Sequence, residues 1–544
     1  MQRSYLICGL IAIALIVMAT ALPLAAMLKE AGDINWRDIL GDTYIQRVVK
    51  FSLTQAALST LLSLIFAIPV SLALSHKPYF HGRATIVSLF SLSLVIPTIA
   101  AIYGIVAVFG RSGWLSDMLS GLSIEPLDFY GLPGILIAHV FFNMPLATRV
   151  LLVSLDGIPA ENWRLCQQMG MRPLSIFRLI EWPRLRGQIP ALAMLIFTLC
   201  FTSFAIVMTL GGGPRSTTIE VAIYQALRFD FDIQLSVALA CIQLILCGCL
   251  MLASTVFRQD NALGFQITAS QQTPGTVSQN SLLKNQLWRG LRWDYLHWLI
   301  ISVASIYVLL PMLALFLSAI NGKTLTVLLD TTTLHATINT LIASLACAVL
   351  SVVISAALLF ITRHIRIRMK LEHTGQWLQL TGNVILVLPP LVLGTGLFLL
   401  LRPFADVFSL ALVLVIIINS LMSLPFVIRI LDGPMMNAAS KQDQLIQSLG
   451  IQGWNRLRLL DWPQLRQPIA LSLALSATLA AGDLSAIALF GSDRVQTLPL
   501  LLYQRMGSYR LEEAAVTAGM LLLLCLILFH SIQWLAGRES RAAT

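Results

Sequence analysis

Charge is scarce in this sequence: Asp, Glu, Lys and Arg make up 11% of its 544 residues, against about 25% in soluble domains. With 57% hydrophobic residues and a mean hydropathy of +0.81, a water-soluble fold is excluded. Signatures of catalysis and metal binding are missing as well. The eight cysteines form no CxxC pair, and Cys8, Cys200, Cys241, Cys247, Cys249, Cys347 and Cys525 fall in apolar stretches. There cysteine behaves as a small hydrophobe, so neither a disulfide nor a metal site is expected. The eight histidines show no HExxH or related spacing. No Walker A sequence occurs. Its nearest approach, Gly322-Lys323-Thr324, has Leu317 where the first glycine is required. The chain binds no cofactor on this reading, and any ATP hydrolysis must come from another chain.

What the sequence has in abundance is long apolar runs. Twelve lie near 5–28, 51–74, 84–110, 131–153, 188–210, 235–257, 297–319, 336–361, 378–401, 408–428, 468–490 and 514–535. Each approaches the roughly 20 residues needed to cross a hydrocarbon core. Lipid cannot satisfy exposed backbone groups and the runs lack the alternation of barrel strands, so helices are expected. The first run follows Arg3 and has small residues within Ala21–Ala26, as a cleaved signal would, yet its length of about 24 residues exceeds a signal's apolar core. It is read as a span. The fold class is therefore all-α integral membrane, with about twelve transmembrane helices.

Orientation follows from the basic residues. With the N-terminus inside, 24 of the 36 lysines and arginines fall on the inner side and 12 on the outer, the bias of positive-inside insertion. Both termini are then cytoplasmic. The net charge of +10 reflects this orientation and gives no support to nucleic-acid binding.

One long polar stretch, Arg258–Asn285, is rich in Ser, Gln, Thr and Gly and leads into Trp288, Arg289, Arg292 and Trp293. It divides the chain into a first domain, 1–257, a cytoplasmic linker, 258–296, and a second domain, 297–544. Shifting the first domain by 280 residues superposes Pro145 on Pro425, Arg149 on Arg429, Gly170 on Gly450, Arg178 on Arg458, Trp182 on Trp462, Pro183 on Pro463 and Arg186 on Arg466. Six crossings per half make the repeat parallel, which sets a pathway between two six-helix units.

The matches are densest in two cytoplasmic loops, 156–187 and 432–467. Each is expected to hold a short helix ending at a glycine, Gly170 or Gly450, in the left-handed conformation of a helix C-terminus. A second amphipathic stretch then runs into Trp-Pro, where proline can begin a helix. The tips present Leu165, Met169, Leu445 and Leu449. Such an exposed apolar knob suits a groove on a partner.

These loops resemble the Glu-Ala-Ala signature loop of bacterial ABC importer permeases. The family pattern places nine residues between a glycine and Ile-x-Leu-Pro. Here Gly170 is followed after nine residues by Ile180-x-Trp182-Pro183, and Gly450 by Leu460-x-Trp462-Pro463. The Glu-Ala-Ala positions hold Arg164-Leu165-Cys166 and Gln444-Leu445-Ile446 instead. The resemblance implies that Arg164, Leu165, Met169, Gly170, Trp182 and Pro183, and Gln444, Leu445, Leu449, Gly450, Trp462 and Pro463, meet two copies of an ATPase subunit, one per loop.

Over essentially its full length the chain is similar to the fused permeases serving ferric iron and thiamine. Ala138–Pro145 and Leu210–Leu227, which includes Gly211-Gly212-Gly213-Pro214, look most like the thiamine and thiamine pyrophosphate permeases of Gram-negative bacteria. That likeness implies an inner-membrane location and a periplasmic binding protein, docking near Gly211, Gly212, Gly213 and Glu220. A ferric-iron permease is the same-fold alternative. An ion-driven secondary transporter would need coupling carboxylates in several helices, whereas Asp483 is the one carboxylate placed inside a span. Asp483, with Ser203 as its counterpart, either contacts a cationic solute in the pathway or makes a structural hydrogen bond. His139, Asn143, Asn339 and Asn419 are read as interhelical hydrogen-bond partners.

Overall fold

The computed structural model describes the chain except residues 1, 33, 93–94, 122, 124–127, 257–290, 368, 370, 384, 386–387, 449–454, 456, 493–494 and 542–544. Among the described residues all twelve apolar runs form helices. Eight are continuous among the described residues: α1 (Gln2–Ala31), α2 (Thr43–His76), α5 (Leu132–Asp156), α10 (Ile233–Val256), α11 (Leu291–Ala319), α12 (Thr331–Ile367), α15 (Ala411–Ser448) and α19 (Leu511–Arg541). The other four are broken, into α3 (Arg83–Leu92) with α4 (Thr98–Phe109), α7 (Ile189–Phe201) with α8 (Ala205–Leu210), α13 (Glu372–Asn383) with α14 (Pro390–Leu401), and α16 (Trp462–Gly482) with α17 (Ser485–Phe490). Short helices α6 (Ala160–Gln168), α9 (Ile219–Arg228) and α18 (Leu498–Gly507) complete the set used below.

Two of the breaks are made by proline. Pro97 stands just before α4 and Pro389 just before α14. Proline offers no amide to the preceding turn and biases its neighbour away from helix. The break before α17 is made by Asp483, whose carboxylate accepts from the amides of Ser485 (3.2 Å) and Ala486 (3.1 Å). Asp483 therefore does not ride inside a helix, as the apolar run suggested. It sits between two, where the unpaired amides of a helix start attract an anionic oxygen.

Along α2 the buried face carries Ser52, Gln55, Ala56, Ser59, Thr60 and Ser63, and along α12 it carries Thr333, Ala336, Thr340, Ala343, Ser344 and Cys347. Apolar burial gives little drive between helices in lipid, so close approach over small residues and interhelical hydrogen bonds take over. Accordingly α2 packs on α5 and α7, and α12 on α15 and α16. The Ser52 hydroxyl accepts the amide of Ile219 at the head of α9, and the Thr340 hydroxyl accepts that of Leu498 at the head of α18, both at 2.9 Å.

The first helices are exchanged. α1 packs on α12 and α14, whereas α11 packs on α2 and α4. Each crossing is made at a glycine: a Cβ at Gly396 in α14 would lie 2.7 Å from the carbonyl oxygen of Pro23 in α1, and one at Gly104 in α4 would press still harder on that of Pro311 in α11. Tyr307 of α11 also donates to the carbonyl of Ile137 in α5 at 2.6 Å.

The chain has two polar ends. At one, Arg83 pairs with Asp156 (3.1 Å), Lys77 with Asp294 and Arg363 with Asp461. At the other, Arg402 pairs with Glu30 (3.3 Å), Arg505 with Asp330 (3.1 Å) and Lys323 with Glu512 (3.4 Å). Nine helices among the described residues are long and apolar enough to cross a bilayer, and a pair bent by 49°, Pro173–Arg186 with Ile189–Phe201, adds a tenth.

Candidate functional site

The first Trp-Pro loop leaves α5 through Gly157 and turns at Pro159 into α6. α6 ends at Gly170, whose φ is +58°. The amide of Met171 donates to the carbonyl of Cys166 (3.0 Å) and that of Gly170 to Gln167 (3.1 Å), the paired bonds of a Schellman turn. The chain then forms a π-helical turn, Phe177–Glu181, in which the Trp182 amide reaches back five residues to the Phe177 carbonyl. Pro183 has no amide to give, so the wider turn carries the chain over the missing bond.

Two apolar faces result. Trp163, Cys166, Ile176 and Leu185 are fully buried and hold the loop to the helix ends. Burial also pushes the Cys166 thiol up, which keeps it protonated. On the outer face Leu165, Met169, Leu174, Leu179 and Trp182 are 53%, 67%, 75%, 64% and 38% exposed. A cleft of about 310 Å³ opens beside them between Ile158, Pro159, Asn162 and Pro183. Arg164 is exposed on the same helix. Large exposed apolar side chains gathered on one loop make this face a candidate interaction surface.

A Cβ at Gly170 would meet nothing within 4 Å, so a substitution there tests backbone strain alone. Gly170→Val is expected to cost about 1–2 kcal/mol and to lower transport at equal membrane abundance. Gly170→Asn, which tolerates the left-handed region, is expected to retain it. Equal transport by both variants would show that the turn is not required.

The second loop repeats part of this plan. Its π-helical turn, Leu457–Asp461, precedes Trp462, and Leu459, Trp462 and Pro463 are exposed. The separate short helix expected before Gly450 is absent. α15 runs unbroken to Ser448, so Gln444 and Leu445 lie in its last turns. The cause is local: Gly157-Ile158-Pro159 ends α5 in the first copy, and the second copy has Asn437-Ala438-Ala439 there. Leu449 and Gly450 lie outside the described residues.

Sequence reasoning passed over the acidic residue before each Trp-Pro. Glu181 is fully buried, and the Nε2–H of His76 at the end of α2 donates to its Oε1 at 2.6 Å. Asp461 is buried too and accepts from Nη1 of Arg363 in α12 at 3.2 Å. The signal was available, because Glu181 and Asp461 superpose under the same shift of 280 residues. It was hidden by reading the loops as solvent-facing.

In the membrane the two breaks correspond, with half-buried Ser203 between α7 and α8 and Asp483 between α16 and α17. His139 Nδ1 meets the Ser59 hydroxyl at 2.8 Å, the Asn143 amide donates to the Cys200 sulfur at 3.2 Å, and Asn339 donates to the carbonyl of Gln496 at 2.9 Å.

At the opposite end Gly212 and Gly213 are exposed with φ of +69° and +132°. Gly211 is buried, its own amide closing α8 onto Val207. Glu220 departs from expectation. It points into the protein, fully buried, and accepts from Gln243 of α10 at 2.8 Å, so its carboxylate is not offered to an outer surface. The reason is its place in the first turn of α9, a helix buried on nearly every side.

Residues 373–541 match the family described as binding-protein-dependent transport system inner membrane component. The chain is 40% identical to the thiamine transport system permease protein ThiP of Salmonella typhimurium, over 99% of this chain and 98% of that one. It is 41% identical to ThiP of Escherichia coli over 98% and 97% of the two chains, and 38% identical to ThiP of Haemophilus influenzae over 96% and 95%. Identity at this level along the whole length, on a multi-pass helical fold, means that the chain belongs to the family of thiamine transport system permease proteins.

Proposed function

We propose that the chain is the permease subunit of an ATP-driven importer and forms the pathway for thiamine and its phosphate esters, received from a periplasmic binding protein. The observation that carries this reading is full-length identity of about 40% to permeases named for thiamine transport. On it, residues 1–257 and 297–544 are two permease domains joined by the linker 258–296, in the bacterial inner membrane with both termini cytoplasmic. Two copies of an ATPase subunit seat on the loops 156–187 and 432–467. The exposed apolar faces at Leu165 and Met169, and at Leu459 and Trp462, support that assignment. ATP is bound and hydrolysed by those subunits and not by this chain. Ser203 and Asp483, at the two helix breaks, line the pathway. Gly211, Gly212 and Gly213 shape the surface where the binding protein docks, with Glu220 holding α9 from beneath.

Deleting the gene in a strain unable to make thiamine is expected to raise the external thiamine needed for growth at least tenfold. Restoring the chain should return the requirement to its starting value. An unchanged thiamine requirement together with a new need for ferric iron would establish the iron reading in its place.

A further inference from the structure

We propose that Glu181 and Asp461 are positioning residues that clamp the two Trp-Pro loops to the ends of α2 and α12, so that displacement of a loop is passed to the helix it is clamped to. The inference rests on the importer reading above. Each carboxylate directly precedes its Trp-Pro and sits in the last position of a π-helical turn, Phe177–Glu181 or Leu457–Asp461. Each is buried and each partner comes from the final turns of a long spanning helix, His76 from α2 and Arg363 from α12. A buried carboxylate is costly to separate from its hydrogen-bond donor because either group alone is left without water, so loop and helix end move together.

The first clamp reaches further. His76 Nδ1 lies 3.2 Å from Nε2 of His297 on α11, with the two rings meeting edge-on at 5.0 Å. α11 follows the linker in sequence yet packs on α2 and α4. Beside this chain of rings Lys77 pairs with Asp294 of α11. Glu181 Oε1 is held by His76 while Oε2 has no hydrogen-bond partner among the described residues, which concentrates the hold of this carboxylate on one charge-assisted bond. At the second loop, Arg363 is held above the Phe360 ring, 5.7 Å from its centroid, with its guanidinium directed at Asp461.

The test reconstitutes the full chain with its ATPase subunits and binding protein in liposomes, and reads thiamine delivered per ATP hydrolysed beside the amount of ATPase that co-purifies. E181Q and D461N keep side-chain shape and remove the charge. Both are expected to retain the ATPase and to deliver about fivefold less thiamine per ATP, the lower range of a coupling between sites. The inverted pair R363D with D461R is expected to restore most of the ratio lost in D461N, which a role in packing alone would not produce. H297Q, which leaves Glu181 and His76 in place, is expected to lower the ratio less than E181Q. A wild-type ratio in E181Q or in D461N overturns the clamp, as does an inverted pair no better than D461N. If E181Q does not accumulate, E181D decides: a lowered ratio supports the clamp and an unchanged one overturns it. A wild-type chain that takes up no thiamine on ATP overturns the importer reading, and the clamp with it.

Discussion

Gly104→Ala is expected to remove most of the folded chain from the membrane, while the same change at Gly248 leaves it intact or slightly more stable. The added methyl is identical and the surroundings decide the sign. At Gly104 it would drive into the carbonyl of Pro311, a backbone atom that cannot turn aside, at the crossing of α4 and α11. Overpacking of a rigid contact costs about 1–3 kcal/mol, and here two helix backbones must part, so about 3 kcal/mol is expected. At Gly248 nothing lies within 4 Å, and alanine is favoured over glycine in a helix by about 0.5–1 kcal/mol. Gly396→Ala, against Pro23, should behave like Gly104→Ala. Heating the purified chain in detergent and following the monodisperse fraction checks all three. A midpoint for Gly104→Ala within a degree of wild type would mean that α4 and α11 do not cross as closely as described.

Placing aspartate at both Leu165 and Met169 is expected to halve the ATPase bound and to abolish uptake. Both side chains are more than half exposed, Leu165 on α6 and Met169 at its C-cap, while Trp163 and Cys166 of the same helix are buried. If each is covered in the complex, its removal forfeits about 1.5–3 kcal/mol, and the pair therefore at least about 3 kcal/mol, a hundredfold or more in affinity. Aspartate adds the cost of taking a charge out of water. The second loop is untouched, so on the proposed arrangement of one ATPase subunit per loop, one subunit per chain should still co-purify with the variant in place of two with wild type. Two subunits retained by the double variant would mean that the face of α6 is not a docking surface.

Hydropathy made the number and order of the spans legible, because every run of sufficient length had to become helix to satisfy its own backbone. It could not reveal where a span is interrupted. A break at Pro97, Ser203, Pro389 or Asp483 is tolerated when protein surrounds it, and the composition of the run barely changes. Nor could periodicity assign neighbours: α1 and α11 read as ordinary first helices, and their exchange became visible only in the packing at Pro23 and Pro311. The Trp-Pro loops were legible through spacing, since Gly170 and Pro183 need fixed backbone conformations that tie residue type to position. The expected helix before Gly450 failed because Gly157 and Pro159, which end α5, have no equivalents in the second copy. Glu181, Asp461 and Glu220 were missed or misplaced for one reason. Acidic residues in polar stretches read as solvated, and burial depends on what the remainder of the chain brings over them.

The exchanged first helices also bear on how the chain is made. α1 leaves the ribosome first, yet α12 and α14, against which it packs, follow some three hundred residues later. At about 5–20 residues per second, α1 must wait roughly a quarter of a minute to a minute for them. During that interval Ala12, Ile16 and Met27, buried in the finished protein, face lipid or an insertion factor. Slow synthesis, or a stall in the linker, would therefore lengthen the life of a half-made chain whose first helix has α10 beside it but not yet α12 or α14.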